Sequence, residues 1–447
     1  MQLGAGAAAL LPAAAVAGLA IARVDDLTLA QVLGRRIRWA WARHRGWTTY
    51  RAQTVVEHAN AWDLPGVLAP TRLLDADDGR GQSFGVVWNR RNGHLTATLR
   101  CAATSTWLVD TADADGWVAN WHSWLASLGY LPMVRAVTVT VDTAPEPGTA
   151  LEDAVLPHLS PDAPDDVRHL MRELVRRSPA AAADVDTRVC VTFDPAAAAP
   201  RPKNLDDAVA EISRQLVGLE SSLGACGVSV LGRATTADLA GIVRTAFDPA
   251  ARGDVQRVLA GRGPADGDPL GWPGAGPVAA DEAWDHYRHD TGVSVTWGWR
   301  EAPRQQVTSG VLARLLAPGR FAKRVTLVYR PLPAGEAARV LEAQVNAAAF
   351  RDAYRRAQRR DESARDLADR EQAQRAAAEE AQGAGLVVMA LLVTATASSA
   401  ADLPAVVAEV ESRADQSKLQ LRRLVGSQSA AFAATLPCGA LPTGGAR

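Results

Sequence analysis

Residues Gly385–Ser398 read GLVVMALLVTATAS, the most apolar run in the C-terminal half of the chain. About fourteen apolar or neutral residues are too few to cross a bilayer as a helix, which takes about twenty. The run ends in the β-branched alternation Val393, Thr394, Thr396, which suits a pleated, half-buried strand. Behind it, ADLPAVVAEVESRADQSK carries Leu403, Val406, Val407 and Val410 on one helical face. Lys418–Val425 (KLQLRRLV) then reads as a strand, and Arg324–Arg330 (RVTLVYR) supplies one upstream. The order β–α–β–α–β is the skeleton of a ferredoxin-like split βαβ sheet. GLVVMALLVTATAS is expected as its central strand, covered on both faces.

Between these strands, Pro333 to Gln382 is helical in pattern and includes RDAYRRAQRRDESARDLADREQAQRAAAEEAQ. Acidic and basic residues at i and i+4 support such a helix in water, and few large apolar residues mark its outer half. It is expected to project as an arm or to fold back as a hairpin. Acids interleave with the arginines throughout, which argues against a nucleic-acid grip.

Upstream, Ser83–Trp88 and His94–Cys101 are β-rich and flank NRRNG, whose Asn92-Gly93 signals a tight hairpin. A short strand is expected at Thr54–His58. Trp117, Trp121, Trp124, Leu125 and Leu128 recur at helical spacing, with Asp115 as a cap; this stripe reads as core. Arg135–Asp142 and Thr187–Asp194 read as strands, Asp165–Arg177, Leu205–Leu223 and Thr236–Phe247 as helices, and Val228–Leu231 as a short strand. Strands alternating with helices after a hairpin predict an α+β or open α/β sandwich. Arg262–Pro277 is a loop by composition; Val293–Trp299 is the next strand.

The first residues differ in kind. Leu3–Ala22 (LGAGAAALLPAAAVAGLAIA) holds no charge, and twenty helical residues reach about 30 Å, the thickness of a bilayer core. RRIRWAWARHRGW follows, with Arg35, Arg36, Arg38, Arg43 and Arg45 among Trp39, Trp41 and Trp47. Arginine and tryptophan mixed in this way fit a lipid-contacting interfacial segment, and the positive flank is expected to remain cytoplasmic. A further span ahead of Met1 is also expected.

The whole chain therefore reads as α+β, with an N-terminal transmembrane helix, a mixed α/β sandwich body, and a C-terminal ferredoxin-like split βαβ sheet bearing a long protruding charged helix. The expected divisions are a span at 1–22, a basic juxtamembrane segment at 23–53, an α/β domain at 54–261, and a Gly/Pro-rich linker at 262–292. The ferredoxin-like domain takes 293–437, with its helix at 333–382, and a tail takes 438–447.

The chain has 447 residues and a net charge of −1, so it offers no overall electrostatic pull on nucleic acid. Cys101, Cys190, Cys226 and Cys438 are far apart and form no CxxC pair, which argues against a zinc ribbon or thioredoxin-like site. The loop acids Asp63, Asp75, Asp77 and Asp78 read as solvated. WDHYRHD, Trp284–Asp290, would bring His286 and His289 within one helical turn, flanked by Asp285 and Asp290. It has no HExxH framing, so a polar anchor closing the sheet is the expectation, with a metal-dependent hydrolase at His286 and His289 as the enzyme alternative. No GxSxG motif selects a nucleophile.

The C-terminal segment resembles the end of the N-terminal, non-ATPase domain of the TraC/TraE-type type IV secretion ATPases. Asp402-Leu403, Val410-Glu411-Ser412, Leu419–Val425 and Ala431–Pro437 (AFAATLP) carry that resemblance. After about Val24 the chain also resembles an actinobacterial family of conjugation-associated membrane proteins. The stretches that carry this are GWVANWHSWLASLGYLPMVRAVTVTVDTAPEPG, AADVDTRVCVTF, GVSVLGRATTADLAGIVRTAFDP, WDHYRHDTGVSV and GVLARLLAPGRFAKRVTLVYRPLPAGEAARV. In the ATPases a phosphate-binding motor follows. Here the only lysines are Lys203, Lys323 and Lys418, and none follows a glycine, so no Gly-Lys-Ser/Thr cradle exists in this polypeptide.

The resemblance implies a non-catalytic, membrane-anchored scaffold of a type IV secretion-like conjugative DNA-transfer apparatus, at the inner membrane with its body cytoplasmic. No cofactor is expected. Expected partners are a separate secretion or conjugation ATPase, other membrane-complex subunits, membrane lipid and further copies of the chain. A type VII secretion membrane-complex component is the alternative within the same class.

Overall fold

The computed structural model describes residues 23–24, 27–52, 62–79, 81–103, 109–146, 149–177, 183–262, 270–301, 307–308, 310–333, 335–343, 374–375, 378 and 385–442. The expected membrane span at 1–22, the strand at 54–58 and most of the charged helix at 333–382 lie outside them. No helix among the described residues is long and apolar enough to cross a membrane.

The described chain starts with a two-residue antiparallel pair, β1 (Arg23–Val24) and β2 (Leu27–Thr28), then α1 (Leu29–His44) and the short strand β3 (Thr49–Arg51). A first α+β unit follows. The β4 (Thr71–Asp77) and β5 (Ser83–Asn89) hairpin leads to β6 (Leu95–Ala103), α2 (Thr111–Ser127) and β7 (Val134–Pro145). The helices α3 (Thr149–Val155) and α4 (Asp165–Arg177) precede β8 (Ala183–Phe193). Then come α5 (Leu205–Leu223), β9 (Val228–Arg233) and α6 (Thr236–Phe247).

Two small helices, α7 (Arg252–Leu259) and α8 (Trp272–Ala275), connect to a second unit. Its strands β10 (Ala279–Glu282), β11 (Tyr287–His289) and β12 (Gly292–Glu301) precede α9 (Ala313–Leu316) and β13 (Ala322–Pro331). It continues through a helical stretch at 335–343, β14 (Val387–Ala397), α10 (Leu403–Gln416), β15 (Gln420–Arg423) and α11 (Gln428–Ala433).

One antiparallel sheet joins both units. Its order is β3-β10-β11-β12-β14-β13-β7-β8-β6-β5-β4, with β15 also on β12 and β9 also on β6. Read outward from the β7–β13 seam, five strands of each half follow the same order, with β3 added beyond β10, and the extra strand sits on the third strand out in each. The halves are thus related by a pseudo-two-fold axis. The registers fix the axis: Thr140 lies opposite Thr326 across the seam, and the same two residues hold equivalent places in their own units. Thr96 and Thr98 on β6 face Thr192 and Cys190 on β8. Ser294 and Thr296 on β12 face Thr396 and Thr394 on β14 in the same way.

The run that opens the sequence is β14, an interior strand paired to β13 on one side and β12 on the other. A split βαβ arrangement is present: β14 and β15 both run antiparallel to β12 and flank it, with α10 as the crossover. It is embedded in the shared sheet, not in a separate C-terminal sheet. Residues expected in a linker form α8, β10 and β11, which continue that sheet. The Trp stripe is helical, but its helix starts at Thr111 behind Asp110, so Asp115 lies inside it and caps nothing.

Alternation sorts the two faces. On one face, Leu95, Leu99, Val137, Val189 and Val191 pack against Trp124, Leu128, Ile212, Leu216 and Leu223 of α2 and α5. On the same face of the second unit, Val295, Trp297, Val325, Leu391 and Val393 pack against Val406, Val410 and Ala414 of α10. Each such side chain contributes about 1.5–3 kcal/mol by leaving water.

The opposite face carries a layer of hydroxyls. Thr96–Thr192, Thr140–Thr326 and Thr296–Thr394 are hydrogen-bonded side chain to side chain at 3.0, 3.0 and 2.9 Å. The sheet curls around this face: Leu73 and Val87 from one margin share a core with Ala280 and Tyr287 from the other, over Leu239, Val243, Phe247 and Phe432 of α6 and α11. The Trp272 indole N–H closes the curl by donating to Thr71 O at 3.3 Å.

Candidate membrane-interface helix

The basic, tryptophan-rich segment folds as α1. Its start is fixed by a capping box: Gln31 N donates to the Thr28 hydroxyl at 3.2 Å, and Thr28 N donates to Gln31 Oε1 at 3.1 Å. Arg43 and His44 lie in the last turn, where cations complement the helix dipole. No residue of α1 is fully buried.

α1 is seated by one contact surface. Trp39 meets Trp284 edge-on with centroids 5.6 Å apart, and the Arg36 guanidinium lies 4.9 Å above the same ring. Trp284 is held in the β10–β11 turn by Gly426, whose N–H donates to Trp284 O at 2.7 Å. Gly426 has φ 69°, and a Cβ there would come within 2.6 Å of the indole, so only glycine fits. Arg35 comes close to Arg422 and Arg38; partial burial first, then this like charge, lowers its pKa from the usual arginine value.

With Trp39 turned to the body, the other side of the helix faces outward. At 100° per residue, Leu33, Ile37 and Trp41 form a stripe on the side roughly opposite Trp39. Ile37 is 60% exposed, and Leu33, Trp41 and Trp47 are also exposed. Trp41 and Trp47 pack edge to face at 4.8 Å, and Arg45 lies 5.0 Å over the Trp41 ring. Arg43 lies 5.4 Å from the Trp39 ring.

The sequence-expected set Arg35, Arg36, Arg38, Trp39, Trp41, Arg43, Arg45 and Trp47 thus shares one helix and its following turn, but it is divided. Trp39 and Arg36 attach the helix; Trp41 and Trp47 lie outside with Leu33 and Ile37. Those last two were not singled out in the sequence, although their spacing of four was readable. Trp284, the seat, had no such signal. The outward side of α1 is thus apolar at Leu33, Ile37 and Trp41, with Arg45 over the Trp41 ring, most of the other arginines lie toward the Trp39 side, and no acidic residue occurs between Leu29 and His44.

The other candidate, WDHYRHD, is not a helical turn. His289 lies on β11, fully buried, with Nδ1 2.6 Å from Phe247 O and Nε2 2.8 Å from the Ser294 hydroxyl. Burial pushes its pKa down to about 4, so the ring is neutral. His286 is in the preceding turn, 2.9 Å from Asp285. Both nitrogens of His289 are engaged, and no group of three or more His, Cys, Asp or Glu suited to a metal occurs among the described residues. Of the expected solvated loop acids, Asp75 and Asp77 are on β4, and Asp63 pairs with Arg72. All four cysteines are free and buried; burial raises the Cys101 thiol to about 11, which keeps it protonated and unreactive.

No protein-family model matches this chain, and no curated protein matches it significantly.

Proposed function

We propose that this chain is a non-catalytic scaffold held at the membrane surface, part of a type IV secretion-like conjugative DNA-transfer apparatus, where it docks a separate ATPase or other subunits. The single observation that carries the membrane reading is the outward stripe of Leu33, Ile37 and Trp41 on a helix whose only charges are basic. Apolar area and anionic-lipid attraction then act together, at about 1 kcal/mol per arginine near the surface. Leu3–Ala22 serves as the anchor in this reading.

The apparatus reading rests on the sequence resemblance of Asp402–Pro437. Those residues supply α10, β15 and α11, the ferredoxin-like element that in the resembling ATPases leads into a motor. Here they would offer a docking surface to a motor on another chain.

The test places a fluorophore on the full chain at Ile37→Cys, the native cysteines being buried. With vesicles containing anionic phosphatidylglycerol and spin-labelled lipid, the label at 37 is quenched and one at Gln82→Cys is not. Equal quenching at both, or at neither, removes the membrane reading. A membrane pull-down from native cells that recovers no P-loop ATPase removes the apparatus reading alone.

A further inference from the structure

The α3–α4 pair leaves the sheet at Pro145, the end opposite the β10–β11 turn on which α1 rests. α4 (DDVRHLMRELVRR) is strongly amphipathic, yet only Val175 is buried. Val167, Leu170 and Leu174 are 51–59% exposed and Met171 is 37% exposed. These four fall at i, i+3, i+4 and i+7, a single stripe about 100° wide. An exposed apolar stripe marks an interaction site.

The charges say what fits it. At 100° per residue, Asp166 and Arg177 border the same side of the stripe, one near each end. The centre of the stripe, between Leu170 and Met171, nearly coincides with the midpoint of Asp166 and Arg177. A second α4 laid antiparallel over the first therefore sets apolar stripe on apolar stripe. It also brings each Asp166 to the partner's Arg177, which Glu173 of its own helix already holds at 2.8 Å and which then bridges the two carboxylates, and the acidic first turn of each helix to the basic last turn of the other. Both ion pairs and helix dipoles are then matched. A parallel arrangement puts these flanking charges on opposite sides of the contact and aligns the helix dipoles, so neither is matched.

We propose that α4 is a self-association surface, on which a second copy of this chain docks its own α4 antiparallel about a two-fold axis between Leu170 and Met171. The contact is independent of the membrane reading of α1. A helix of thirteen residues is about 20 Å long, so the interface lies at the small end of specific contacts and a weak, concentration-dependent dimer is expected.

The test is oxidative cross-linking of the purified full chain carrying Met171→Cys, beside His169→Cys on the opposite side of the helix. Position 171 lies next to the axis, so Met171→Cys forms a disulfide dimer and His169→Cys does not. Sedimentation then gives the dissociation constant: Leu170→Glu weakens it at least tenfold, as does Asp166→Arg. The double variant Asp166→Arg/Arg177→Asp recovers most of the loss, because the pairing is reciprocal. The altered residues are exposed, so folding is preserved and is verified by circular dichroism. A chain that is monomeric at 100 µM overturns the proposal, and so does a dimer indifferent to Leu170→Glu. Loss of vesicle binding by Leu170→Glu in a monomeric chain assigns the stripe to lipid instead.

Discussion

Thr140 and Thr326 lie opposite each other at the centre of the sheet, their hydroxyls 3.0 Å apart and buried. They are paired neighbours and also equivalent residues of two repeated units. A pair on the axis needs a group that can donate to its own copy, and a hydroxyl does both. Val at either position alone leaves the other hydroxyl buried without its partner, at a cost of about 1–3 kcal/mol. Val at both positions is close to neutral. A double-mutant cycle by urea unfolding measures the coupling; additive losses contradict the pairing.

The repeat is broken by charge on one side of that axis. Arg188 is fully buried between Asp142 at 3.2 Å and Asp186 at 2.8 Å, and Arg324 on β13 lies opposite Asp142. By register, the mates of Asp142, Arg188 and Arg324 are Val328, Leu392 and Thr138. Burial comes first among the influences on Arg188 and favours losing its charge, but the two carboxylates outweigh it and raise its pKa. Arg188→Leu alone is expected to cost about 3–5 kcal/mol, because the mostly buried Asp142 loses its nearest cation and keeps only Arg252 at 3.9 Å. Arg188→Leu/Asp142→Val/Arg324→Thr copies the uncharged side and is expected to be more stable than Arg188→Leu. Thermal unfolding of both variants decides this.

His289 makes stability depend on pH. Its folded pKa is about 4, below the free value of 6.5, so the unfolded chain binds the proton more tightly. Stability is complete above about pH 6.5 and falls as pH drops toward 4, by an amount on the order of 3 kcal/mol. His289→Gln keeps a polar group in the site and removes this titration. Unfolding midpoints between pH 4 and 7 should be flatter in the variant; equal slopes contradict the assignment.

Gly426→Ala tests the seat of α1. The added methyl meets Trp284 and the left-handed backbone resists a side chain, at a cost of about 1–3 kcal/mol. Amide exchange at residues 29–44 should accelerate while the β7–β13 seam stays protected. Unchanged exchange in α1 would mean that Trp284 does not hold it.

Local order was readable from the residues. Asn92-Gly93 marked the hairpin between β5 and β6, and Gly93 has the positive φ, 76°, that such a turn requires. The alternation in GLVVMALLVTATAS marked an interior strand, and the helices Asp165–Arg177, Leu205–Leu223 and Thr236–Phe247 followed from their pattern. These properties depend on neighbours a few positions apart. The arginines and tryptophans of α1 were visible for the same reason.

Only the tertiary structure decided which strands meet. A strand's alternation states which side chains share a face but does not name its neighbour, so the β7–β13 seam and the doubled unit were hidden. The expected linker held strands of three and four residues, β11 and β10, too short to show a period. His286 and His289 are three positions apart in sequence but separated by burial, because a strand and its turn replaced the helical turn. The outward direction of α1 and α4 was likewise undetermined: an amphipathic pattern requires that one face leave water, and the fold left both stripes without a partner within the described chain.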